Sequence, residues 1–120
     1  MYTEKIARIS GIEDVEGVVF VDKDGLILAS DVNGEPEEKG ALPVFVGEAA
    51  IQVGSILKLG SFETGAVNGE ERFLIFERPE AFLGVFISRN ASVAMVESEV
   101  EETVATIQDS EKRQGRGEDR

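Results

Sequence analysis

The sequence predicts an α+β sandwich: a five-stranded antiparallel sheet with a long helix on one face and the terminal helices on the other. Three observations lead to it. Short strand-like runs are separated by turn chemistry. One apolar segment of helical length falls between the second and third runs. The first two runs are apolar on consecutive positions, which asks for cover on both faces of the sheet.

Taken in order, Ile6, Ile9 and Ile12 are spaced for a short amphipathic helix over residues 4–12. Gly17-Val18-Val19-Phe20-Val21 and Leu26-Ile27-Leu28-Ala29-Ser30 read as strands joined by Asp22-Lys23-Asp24-Gly25, so residues 17–31 form a hairpin. Residues 31–41 are polar and acidic and read as a surface connection. A long helix is expected over about 41–58, with Pro43 in its first turn and Gly60 closing it. Strands follow at 61–67, 72–78 and 82–88, with Asn68-Gly69 marking a hairpin between the first two. The last helix is expected over 91–108, started by Asn90 or Ser92, with Val93, Val96, Val100, Val104 and Ile107 on one stripe. Residues 109–120 are charged, with nothing to bury. The expected division is therefore one domain over 1–108 and a disordered tail over 109–120.

The long helix has two apolar faces. Leu42, Phe45, Val46, Ala49, Val53, Ile56 and Leu57 form a broad stripe expected to cover the sheet. Pro43, Gly47, Ala50 and Gly54 recur along another flank, bordered by Val44 and Ile51. An interior glycine costs about 1 kcal/mol against alanine in a helix, so two on one flank imply that another backbone comes close there. That backbone belongs either to the chain's own sheet or to a second copy packed about a two-fold axis. The second placement is the one expected, since a two-fold contact lets one small-residue strip serve both copies.

Composition excludes several functions. The chain has 24 acidic and 12 basic residues and a formal charge of −12. Its acidity is spread, with 16 acids against 8 bases up to residue 96 and 8 against 4 beyond. Such a field disfavours phosphate backbones and anionic membranes. Without Cys there is no thiolate nucleophile or disulfide, and without His the usual general base near neutral pH is missing. No apolar run approaches spanning length and the first residues lack a signal-peptide apolar region, so a cytoplasmic protein is expected.

Candidate chemistry is sparse. Asp22, Asp24 and Asp31 cluster near the first hairpin but lack calcium-loop spacing, and turn capping accounts for them. Glu97, Glu99, Glu101 and Glu102 read as a solvated helix face. No phosphate loop or nucleophile elbow is present, and Asn90-Ala91-Ser92 matches the glycosylation sequon only by chance. No catalytic residue, metal or cofactor is expected.

The segment from Ile12 to Ser30, the Ala/Val-rich helix after it, Gly60-Ser61-Phe62-Glu63 and Asn90-Ala91 together resemble the Roadblock / dynein light-chain family over about residues 4–108. Pro43 and the polar stretch 35–40 depart from its pattern. The resemblance implies a Roadblock/profilin-like sandwich and a homodimer in which the long helices pack together and the third strands join two sheets. The interface would then hold Pro43, Val44, Gly47, Ala50, Ile51 and Gly54 from the helix, with Phe62, Thr64 and Ala66 from the strand. It further implies a small Ras-like GTPase as partner, regulated or scaffolded without a catalytic residue, or else a structural adaptor role within a larger complex. A ligand-sensing module would need a sizeable apolar pocket. An arginine finger would need Arg72, Arg78 or Arg89 to project freely.

Overall fold

The computed structural model describes residues 2–58, 60 and 63–118 of the 120, with side chains as far as residue 105. The order is α1 (Tyr2–Ser10), β1 (Val15–Asp22), β2 (Ile27–Asp31), α2 (Pro36–Ile56), β3 (Thr64–Asn68), β4 (Arg72–Glu77), β5 (Ala81–Ile87) and α3 (Val93–Glu118). The strands form one sheet in the order β2-β1-β5-β4-β3, every neighbouring pair antiparallel.

The strand pattern divides the core as period-two alternation requires. Val18 and Phe20 of β1 face α1 and α3, joining Ile6, Ile9, Leu83, Val85, Val96 and Val100. Val19 and Val21 face α2, joining Phe73, Ile75, Phe82 and Phe86. Both faces of the sheet are therefore covered, as the consecutive apolar positions predict. The first hairpin turns where expected: Gly25 has φ +94°, and Asp22 Oδ1 accepts hydrogen bonds from the Asp24 and Leu26 amides, each at 2.9 Å. Asp22 is thus a turn residue. The β3–β4 hairpin pairs Asn68 with Arg72, leaving a three-residue loop over 69–71 rather than a two-residue turn.

Two helices differ from expectation. α2 begins at Pro36, so residues 36–40 belong to the helix and not to a polar connection. Pro36 stands in the first turn, where its fixed φ suits helix and its missing N–H is not needed, and Glu37 and Glu38 complement the positive helix end. Pro43 consequently lies inside the helix, not in its first turn. It forgoes the bond to the carbonyl four residues back. Gly84 on β5 makes room for its ring, since a Cβ there would come within 2.6 Å of Pro43 Cγ. At its other end α2 stops at Ile56, and Lys58 takes the left-handed conformation at φ +57°.

α3 starts on a Ser92 cap, whose Oγ accepts from the Met95 amide at 3.3 Å. Its backbone stays helical to Glu118, past the end expected at 108. Glu, Lys, Arg and Gln over 111–114 are good helix formers, and no proline intervenes. The helix end expected at 108 is thus corrected. The division at 108 itself we retain as a proposal, because the buried residues Val96, Val100 and Val104 all precede it. A chain ending at residue 108 is expected to keep its Tm within about 3 °C by calorimetry, the size of change that follows from alterations outside the core.

Candidate interaction surface

The face α2 turns to the sheet is set by what lies beneath it. Phe82 of β5 stands directly under the helix, and a Cβ on Gly47 would collide with its ring. Gly40 likewise sits against Ile27. Gly54 is buried where the chain returns after the helix, a Cβ there falling 2.9 Å from the Gly60 carbonyl oxygen. Pro43, Gly47 and Gly54 are therefore buried within their own chain and are not free to receive a second copy. This corrects the expected small-residue interface. Bulky aromatic strands need a thin helix face above them, because close-packed interiors have no spare volume.

The expected sheet-covering stripe is reassigned with it. Only Leu42 and Val46 pack towards the sheet, in company with Val44. Phe45 is 79% exposed, Ile56 76%, Leu57 61% and Val53 51%. Phe45, Ala49, Val53 and Ile56 recur at helical spacing and all are exposed, so they make one apolar stripe on the outer side of α2. Ile51, at 37% exposure, sits apart on the flank. Val44 and Ala50 are half-buried. A contiguous apolar stripe of this kind makes the outer side of α2 a candidate interaction surface.

β3 is the sheet edge on the β4 side, bonded to β4 alone among the described residues. Its sequence Thr64-Gly65-Ala66-Val67-Asn68 holds no charge and no proline, the usual guards of an edge. Thr64 is half-buried and Ala66 exposed, as pairing with another strand needs. Phe62 lies outside the described residues. The opposite edge, β2, ends on Asp31, and its pairing with β1 is broken by a bulge between Phe20 and Val21.

Cations near the α2 side are tied down. Lys23 pairs with Glu77 at 2.7 Å, its ammonium 4.1 Å from the Phe82 ring centroid. Lys39 pairs with Glu71 at 2.5 Å and lies 5.1 Å from the Phe86 centroid. Such pairs contribute about 1 kcal/mol or less, but they clamp the first hairpin and the β3–β4 loop beside the helix. Arg72 Nη1 donates to the carbonyls of Ser88 at 3.0 Å and Arg89 at 2.7 Å, tying the start of β4 to the end of β5. Arg78 Nη1 donates to the Glu77 carbonyl at 2.9 Å. Of the three candidate fingers, Arg89 is exposed while Arg72 and Arg78 are half-buried. A hollow of about 400 Å³ between α1 and α3 is lined by Arg8, Ile12, Glu99, Glu102 and Thr103 and is mostly polar. It is not the apolar pocket a ligand-sensing module needs. Among the described residues no helix is long and apolar enough to cross a membrane.

Five antiparallel strands in this order, a long helix on one face and two helices on the other, define the Roadblock/profilin-like α/β/α sandwich. The chain has the fold of Roadblock/LC7 domains. MglB from Myxococcus xanthus superposes with a TM-score of 0.75 at 17% identity, over 91% of this chain and 98% of that one. A Roadblock/LC7 domain from Streptomyces avermitilis gives 0.73 at 15% identity, over 90% and 92%. Acanthamoeba castellanii profilin IB gives 0.56 at 14% identity, over 96% and 99%. No protein-family model and no curated protein sequence matches the chain.

Proposed function

We propose that this protein is a homodimeric, cytoplasmic Roadblock-type module that regulates or scaffolds a small Ras-like GTPase and contributes no catalytic residue of its own. The observation that carries the proposal is the apolar stripe on the outer side of α2, on the same chain as an unguarded β3 edge. In this reading a two-fold axis sets α2 against α2 and β3 against β3, joining two five-stranded sheets. Thr64 and Ala66 keep the place first expected of them, while Phe45, Val53 and Ile56 replace the glycine strip. The paired helices then offer one continuous surface to the GTPase. The commitment of Arg72 to main-chain carbonyls supports action by reshaping the partner rather than through a finger at that position.

The test is binding of a panel of small Ras-like GTPases, each loaded with GDP or with a non-hydrolysable GTP analogue. A preference of about tenfold or more for one nucleotide state is expected of a regulator. Equal binding to both states favours the structural adaptor, and no binding to any of them contradicts both. Where hydrolysis is stimulated, replacing Arg72, Arg78 or Arg89 with Ala while the fold is kept is expected to leave the stimulated rate within about twofold. Loss of a genuine finger removes about 10³-fold or more.

A further inference from the structure

The outer side of α3 is more than the solvated acidic face its sequence reads as. Met95 is 65% exposed there. Glu99 and Glu102, both exposed, follow it at i+4 and i+7, so the three share one face beside the buried stripe of Val96, Val100 and Val104. Opposite them stands the turn that joins α1 to β1. Glu13 and Asp14 of that turn line a hollow of about 40 Å³ with Met95, Val96 and Glu99. Glu99 also lines the larger hollow of about 400 Å³ between α1 and α3, with Ile12 and Glu102. The two hollows meet at Glu99 and make one groove.

The turn side of the groove is held in place. Asp14 takes the left-handed conformation at φ +72°, which Asp tolerates better than most residues. Its carbonyl accepts from the Ser88 amide at 3.0 Å and its Oδ1 from Ser88 Oγ at 3.2 Å. Four carboxylates and one guanidinium line the groove, and the guanidinium, Arg8, already pairs with Glu4 at 3.3 Å. Such a field repels nucleic acid, anionic lipid and a second copy of a chain of charge −12, and it attracts a cationic segment. Met95 adds an apolar contact, since a flexible thioether moulds to a partner's side chain. The smaller hollow exceeds the volume of a single water and admits the head of a lysine or arginine. The larger is of the size of ordinary ligand clefts.

We infer that this groove docks a basic peptide segment of a partner protein, with one cation among Glu13, Asp14 and Glu99 and an apolar side chain on Met95. The groove lies on the face of the sheet opposite α2, so the proposal goes beyond the GTPase reading and does not rest on it.

Amide spectra of the ¹⁵N-labelled full chain, titrated with the capped peptide acetyl-Arg-Leu-Arg-Lys-amide, test it. The Glu13, Met95 and Glu99 signals are expected to shift and saturate, while those of Phe45 and Val53 on α2 stay in place. A peptide with Glu at the basic positions should give no saturation. Glu99→Lys, with a retained dispersed spectrum, should bind about tenfold more weakly, because an attraction becomes a repulsion. Met95→Ser should bind about threefold more weakly, and replacing Leu by Ala in the peptide should cancel that difference. Added salt should weaken binding by the wild type. Shifts that stay linear or spread evenly over the acidic surface, equal binding of the acidic peptide, or saturation unchanged in Glu99→Lys would overturn the inference.

Discussion

Phe45→Glu is expected to separate the two copies while leaving each copy folded. The side chain is 79% exposed in the single chain, so the charge meets water there and the fold loses nothing it depends on. In a two-fold dimer the same substitution acts twice. Full burial of a phenylalanine is worth about 1.5–3 kcal/mol, so two of them contribute about 3–6 kcal/mol. That corresponds to a rise of about 10²–10⁴ in the dimer dissociation constant, read by isothermal dilution calorimetry. A retained Tm at concentrations where the variant is monomeric completes the prediction. A variant that dimerises like wild type would remove the outer α2 stripe from the interface.

Gly47→Leu is expected to do the opposite, damaging the fold and not the pairing. Its Cβ would meet the Phe82 ring, and Phe82 is itself fully buried between β1 and β4 on the central strand β5. The helix must lift or the ring must leave its rotamer, and overpacking of this kind costs about 1–3 kcal/mol. Calorimetry should show a fall in Tm of about 10 °C. Gly54→Leu should behave similarly by crowding the Gly60 carbonyl. Were Gly47 at a contact between copies, the variant would instead be a stable monomer with an unchanged transition.

The two variants mark where the sequence was legible and where it was not. The fold class could be read because its signals are local. Consecutive apolar residues in β1 require two covered faces, Asp24-Gly25 makes the turn, and Ser92 caps α3. The two faces of α2 carried no such signal. Both are apolar, and periodicity identifies a face without saying what lies beneath it. The missing information sat elsewhere in the chain, in Phe82 and Phe86 of β5. Strands with large rings leave space only for small residues above them, so Gly40, Gly47 and Pro43 belong inside and Phe45 outside. α2 starts earlier than Pro43 alone implies, because Pro36 fills the first-turn position and Gly84 accommodates Pro43 in the interior.

The central claim is that the chain pairs with itself through the outer side of α2 and the β3 edge. Sedimentation equilibrium of the wild-type chain over a range of concentrations tests it most directly. The account predicts a species of twice the 13.0 kDa chain mass, giving way to 13.0 kDa only on dilution. A mass of 13.0 kDa at every concentration would contradict it.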